Sequence, residues 1–359
     1  MSSLDQPLTL RSGLRLGGRV ALAPLTNTQS HADGTLGDDE LRWLLRRARG
    51  GFSWISTCAA WVSEEGQAWA GQLGIASDAH LPGLRRLAAA LGAEGVARVV
   101  QLHHGGAKAE VAPRRLSTGG PEGARAATAA DLAQVTEDFV AAALRAKEAG
   151  FDGVEVHGAN GYLFTQFLAP ADNPRTDAWG GDLEGRARLL RDTTRAIRAA
   201  VGTDFALGVR LSPVDHFARR GLVLADSVQV GRWLAEDGVD FVHLSLGDVR
   251  GAPPHEPEAG SIVRAFRDAL PPDVALFAPG GIWTLHDAEE ARALGVDVVV
   301  LGRAGIAHPD WPRASAMPEF APHRPPWTRE ALVEVGVGPA FVDYLERSAG
   351  MVVGGFARR

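Results

Sequence analysis

Short apolar runs recur along the chain, each followed by a polar or glycine-rich break and then by a stretch with helical spacing. Runs at 20–24, 54–57, 98–102, 154–156, 205–211, 241–244, 275–278 and 298–301 have the length and the β-branched or aromatic content of buried strands. Between them, 38–49, 81–91, 131–149, 184–200, 226–237, 262–270 and 285–294 carry the helical pattern, with Gly150 a plausible stop for the third. Strands that are almost wholly apolar belong to a parallel sheet covered on both faces. Eight of them alternating with helices predict an α/β fold, a (β/α)8 TIM barrel, with a doubly wound sheet as the alternative. Leu8-Thr9-Leu10 and Leu14-Arg15-Leu16 flank a turn at Arg11-Ser12-Gly13 and predict a short amino-terminal hairpin. The stretch from His103 to about Thr128 is too long for a mere connector and reads as a wall or lid after the third strand. No composition break marks a linker, so residues 1–359 are expected to form one domain.

Charge and composition narrow the function classes. The net charge is −6, with no basic block, which argues against a nucleic-acid partner. One cysteine, Cys58, excludes an intramolecular disulfide framework and a four-cysteine metal or iron–sulfur site. Lys108 and Lys147 are the only lysines, which makes a buried Schiff-base lysine improbable. No signal peptide is apparent and no apolar run approaches a membrane span, so no membrane partner and a cytoplasmic enzyme are expected.

In a barrel of this kind the loops after the strands build the site. The polar or glycine positions there are Thr26, Cys58, Gln101, His157, Arg210, Ser245, Gly280-Gly281 and Gly302-Arg303. The last two pairs follow strands seven and eight, where backbone amides and one cation can hold a phosphate. After strand four, His157 and Asn160 stand three residues apart and Tyr162 follows. An imidazole and a carboxamide so placed can both donate hydrogen bonds to one oxygen, while a phenol can supply a proton. Each residue alone is as compatible with a satisfied core.

Together the motifs resemble the Old Yellow Enzyme family of flavin-dependent ene-reductases. They are ALAPLTNT at 21–28, QLHHGG at 101–106, EVHGANGYLFTQFL at 155–168, NPRTDAWGG at 173–181, GVRLSP at 208–213 and LGRA at 301–304. The resemblance implies a barrel that holds FMN non-covalently and reduces an activated C=C bond of an enone-type or nitro substrate with hydride from NADPH or NADH. It implies that Ala23, Pro24, Leu25 and Thr26 border the flavin ring, that Gln101 bonds its pyrimidine end, and that Arg210 faces the edge where negative charge collects on reduction. Gly280, Gly281, Gly302 and Arg303 would hold the phosphate, and Cys58 would lie near the cofactor, though its plain reading is a buried packing residue. His157 and Asn160 would clamp the substrate oxygen beside Thr28, and Tyr162 would protonate the α carbon. Nicotinamide and substrate would take turns in one pocket, a ping-pong scheme that needs no Rossmann motif.

Within the flavin class the alternative is a dehydrogenase or isomerase of the same fold acting in a biosynthetic pathway. A metal-dependent barrel hydrolase lacks its His-x-His pair after strand one, and a non-catalytic flavin protein has no use for His157, Asn160 and Tyr162 together. No metal is expected, and a homodimer is compatible with the sequence.

Overall fold

The computed structural model describes residues 3–112, 114–120, 124–215, 220–348 and 350–355. Eight parallel strands close into a barrel: β1 (Val20–Leu22), β2 (Trp54–Trp61), β3 (Ala97–His103), β4 (Gly153–Gly158), β5 (Ala206–Leu211), β6 (Phe241–Leu244), β7 (Ala275–Pro279) and β8 (Val298–Leu301). Each strand pairs with the next in chain order, and β8 returns to β1 through Val299–Val20, Val300–Ala21 and Leu301–Leu22. The outer layer contains α1 (Asp38–Arg49), α2 (Leu81–Ala93), α3 (Ala129–Ala149), α5 (Leu183–Val201), α6 (Leu224–Glu236), α7 (Ile262–Ala269) and α8 (Leu285–Ala293). A short buried helix, α4 (Leu163–Leu168), interrupts the crossover after β4.

Local sequence explains the best-defined elements. Helix α1 opens on Asp38, Asp39 and Glu40 and ends on Arg46, Arg47 and Arg49, charges that complement both ends of its dipole. Helix α3 is started by Thr128, whose hydroxyl accepts from the Asp131 N–H while the Asp131 carboxylate accepts from the Thr128 N–H. It is stopped by Gly150 in the left-handed conformation.

Strand alternation divides the buried residues into two cores. Ala21, Trp54, Val99, Ala206, Phe241, Phe277 and Val300 fill the barrel, closed by Leu10 and Leu16 of the antiparallel hairpin Leu8–Thr9/Arg15–Leu16. The rings of Trp54, Phe241 and Phe277 meet at centroid distances of 5.1, 5.1 and 4.7 Å. Gly208 faces Phe241 across the ladder, and a Cβ there would stand 2.2 Å from the Phe241 ring. Glycine is thus the only residue that leaves room for that ring. Alternate residues, such as Ile55, Val100, Val154, Leu207 and Val209, pack outward under the helices.

Several boundaries differ from the sequence reading. Strand β1 ends at Leu22 rather than 24, because the chain turns into the site loop after Ala23 donates its N–H to the Leu301 carbonyl at 3.0 Å. Strand β2 continues to Trp61 instead of ending at 57. Its low-propensity Ala59-Ala60 segment is held by pairing with Gln101 and Leu102, beyond a register shift between Ser56 and Ala59. The stretch after β3 contains a 3-10 turn at Gly106–Lys108 and a two-rung parallel ladder between Leu116–Ser117 and Arg125–Ala126.

Candidate active site

Two cavities lie at the carboxyl ends of the strands, on either side of the loop after β1, and we refer to them as the two ends of one cleft. One is a cavity of about 260 Å³ lined by Ala23, Leu25, Arg210, Gly280, Gly281, Gly302 and Arg303, with Leu246 and Trp283. The other, of about 470 Å³, is lined by Thr26, Thr28, Trp69, Lys108, Glu110, Tyr162, Tyr344 and Arg347. The loop after β1 serves both, with Ala23 and Leu25 on one side and Thr26 and Thr28 on the other.

The first cavity is shaped by backbone. Gly280 and Gly281 have φ of 120° and 67°, and a Cβ on Gly280 would lie 2.9 Å from the Asp248 backbone nitrogen. Side chains are therefore excluded from the wall, which leaves main-chain groups to meet a ligand. The Arg303 guanidinium is exposed and lies 5.9 Å from the Trp283 ring, whose other neighbour is Arg324 at 5.4 Å.

Below lies a buried polar layer. Gln101 Nε2 donates to Glu155 at 2.6 Å, and His243 Nδ1 bonds the other carboxylate oxygen at 2.8 Å. Burial alone would raise the Glu155 pKa. The hydrogen bonds from His243 and Gln101, with the nearby Arg210 charge, outweigh it and lower the pKa instead. Arg210 gives Nη2–H to Ser245 Oγ at 3.2 Å, while its Nε–H is buried with no partner among the described residues. A buried guanidinium donor without an acceptor, on the wall of an open cleft, fits an anionic edge of a bound cofactor.

The β4 turn contributes Tyr162 to the second cavity. His157 is almost wholly buried, with Nδ1 unpartnered among the described residues. Burial, then the neighbouring His103 and the Arg210 charge, hold it well below the usual histidine pKa, so its ring is neutral. Asn160 and Gly161 both adopt left-handed backbone, with φ of 62° and 75°. The asparagine is held at three atoms. Its N–H donates to Ser212 Oγ at 2.8 Å, its carbonyl accepts from Lys108 Nζ at 2.8 Å, and its Oδ1 accepts from Ser245 Oγ at 3.0 Å. Tyr162 precedes α4 and packs against His103 and His157 at centroid distances of 4.4 and 5.3 Å. Burial pushes its phenol up to about 12, so it keeps its proton through the neutral range.

The structure therefore brings His157, Asn160 and Tyr162 together beside Arg210, and gathers Ala23, Leu25, Gly280, Gly281, Gly302 and Arg303 around one cavity. One expectation needs correction, the placement of Cys58. The Cys58 thiol does not face the cleft: the register shift after Ser56 turns it into the outer core beside the Glu40 carboxyl, where burial raises its pKa. Thr28 lines the second cavity but gives its hydroxyl proton to the Ala340 carbonyl at 3.0 Å, leaving it only as an acceptor. Gln101 lies in the polar layer, with one amide N–H committed to Glu155. Pro24 is buried beside the lining residues Ala23 and Leu25.

Sequence reasoning missed Lys108, Tyr344 and Arg347 as cavity residues. Trp69 also lines the cavity, whereas Trp61, the last residue of β2, packs edge-on to His80 at 5.0 Å. The two lysines were themselves a signal, since Lys108 stands in the motif after β3 and reaches Asn160.

Comparison with known proteins shows the family. Residues 3–317 match the NADH:flavin oxidoreductase / NADH oxidase family. The chain is 35% identical to a probable NADH-dependent flavin oxidoreductase of Bacillus subtilis, over 86% of each protein. It is 32% identical to an NADH:fumarate oxidoreductase of Klebsiella pneumoniae, over 85% of this chain but only 35% of that longer protein. Among solved structures, morphinone reductase in complex with tetrahydroNAD superimposes with a TM-score of 0.79 and 27% identity, covering 95% of this chain and 97% of that one. The chain belongs to the NADH:flavin oxidoreductase / NADH oxidase family, the Old Yellow Enzyme family, and is an NAD(P)H-dependent flavin oxidoreductase.

Proposed function

We propose that this protein reduces the activated C=C bond of α,β-unsaturated carbonyl or nitro compounds with NAD(P)H, using FMN held in the two-ended cleft. When bound, FMN supplies a hydride carrier that serves nicotinamide and alkene in alternate half-reactions. Arg303, with the glycine-lined walls at Gly280, Gly281 and Gly302, would bind the phosphate, and Arg210 would meet the electron-rich edge of the ring. His157 and Asn160 donate to the substrate oxygen and draw electron density from the β carbon. Tyr162 holds the proton for the α carbon, kept on the phenol by burial. The observation that carries this reading is the conjunction of the neutral His157, the anchored Asn160 and the protonated Tyr162 at one end of a cleft whose other end presents an unpartnered Arg210 N–H.

A second substrate class is favoured by Lys108 and Arg347 on the cavity wall, which suit an unsaturated carboxylate. The Klebsiella relative is named for such a substrate, fumarate. Purified protein should be yellow or take up FMN, bleach anaerobically with NADPH or NADH, and recolour on adding 2-cyclohexenone. Recolouring by acrylate alone would shift the assignment to carboxylates, and a protein that never acquires a flavin spectrum would overturn it.

A further inference from the structure

Asn160 has four hydrogen-bonding groups and three are taken. Its N–H, its carbonyl and its Oδ1 are held by Ser212, Lys108 and Ser245, and only Nδ2 lacks a partner among the described residues. The residue is exposed. The bonds in the chain that reaches it run in one direction. A guanidinium has no acceptor, so Arg210 Nη2 must donate to Ser245 Oγ. The serine hydroxyl keeps its one proton, which it gives to Asn160 Oδ1 at 3.0 Å. With the amide oxygen turned to the serine, the amide nitrogen points away from it and is left to donate elsewhere. Without the serine hydroxyl the carboxamide could rotate and present its oxygen to the substrate oxygen, turning attraction into repulsion.

We propose that Ser245 is a positioning residue that sets the orientation of the Asn160 amide, completing a directed hydrogen-bond chain from Arg210 through Ser245 and Asn160 to the substrate oxygen. Each bond in the chain points the same way, so each polarises the next, and the cation beneath the cofactor site strengthens a donor at the substrate site. The left-handed backbone of Asn160, uncommon for a residue with a side chain, is held by the Ser212 and Lys108 bonds and aims the carboxamide at Ser245. Ser245 is nearly buried and donates its own N–H to the Leu211 carbonyl at 2.8 Å, so its position is set by the β5–β6 edge and not by a mobile loop.

The proposal rests on the oxygen-clamp reading of His157 and Asn160, and one experiment separates the two. The affinity of oxidised, FMN-loaded protein for 4-chlorophenol, whose oxygen seeks the same donors, is measured from the flavin absorbance change for wild type, S245A, S245T, N160A and the S245A/N160A pair. N160A is expected to weaken binding by about tenfold or more, as loss of a donor to a charged oxygen. S245A should weaken it by about tenfold, S245T should restore it to within about twofold, and S245A should cost less than about twofold when Asn160 is already alanine. An equal loss from S245A in both backgrounds, or no loss at all, overturns the positioning role while leaving the clamp intact. Unchanged binding by N160A overturns the clamp and the positioning role with it. If S245A fails to retain flavin, S245C, of similar size with a weak donor, gives the same comparison: a loss that persists without Asn160 overturns the proposal, and one that vanishes supports it.

Discussion

The two ends of the cleft solve recognition with different materials. The end under β7 and β8 is lined by glycine backbone, the buried Arg210 and the exposed Arg303, whereas the end after β4 is made of side chains packed on one another, with Asn160 held at three atoms. A phosphate offers the same oxygens from every side and needs only convergent donors, so main chain plus one cation suffices. A substrate oxygen must be met by particular groups at a particular place relative to a proton donor, and that requires locked rotamers and a supporting shell. The glycine end can thus use an exposed arginine, while the β4 end needs a held asparagine.

This contrast can be broken or sharpened by experiment, beginning with the largest effect. Tyr162→Phe should slow substrate reduction by about 10² or more while leaving flavin reduction by NADPH within about twofold. Stopped-flow measurement of both half-reactions decides it, and equal slowing would remove the acid role. Arg303→Ala should weaken FMN binding by roughly 10- to 100-fold, the worth of a charge-assisted contact, with little change in turnover at saturating FMN. Titration of the apoprotein reads this directly, and a turnover loss persisting at saturation would show that the phosphate end also shapes the reaction.

The next effect concerns stability. Burial, joined by the neighbouring His104, holds His103 down to about 3, and burial holds His104 at about 4, against the ordinary 6.5. Between pH 6.5 and about 4 the unfolded chain therefore binds protons that the folded chain refuses. Stability rises with pH across that window and is lost on acidification, by on the order of 1 kcal/mol per group per pH unit. Urea unfolding at pH 7 and 5 should show a smaller difference for His103→Gln than for wild type, and identical differences would contradict the neutral assignment. The smallest effect is expected from Arg347→Ala. This exposed charge at the cavity rim should raise KM for acrylate about two- to fivefold and leave that for 2-cyclohexenone unchanged, and a parallel rise for both would remove its carboxylate role.

How much of this was legible depends on whether the signal was local. Helix α1 could be bounded to the residue because its acidic start, basic end and following glycines all lie within its own sequence. The turn at His157, Asn160 and Tyr162 was legible because its three chemical groups are neighbours in the chain. Strand β2 was cut short because Ala59-Ala60 is strand only by virtue of its partner, and the Cys58 direction depends on an irregularity that no residue type announces. Arg347 and Tyr344 reach the cavity from a distant segment, so only the folded chain places them there. Ser245 was visible as a strand-end polar residue, but its meaning required knowing which atom of Asn160 it touches.

The seam where β8 meets β1 carries one more consequence. Ala23 and Leu25 follow the first strand of the barrel, Gly302 and Arg303 follow the last, and all four line the same cavity. A molecule lodged there would act as a clasp across the join between the beginning and the end of the barrel, tying together the two strands with the longest stretch of chain between them. A bound cofactor would add its binding energy to that join, so its loss would be felt there first.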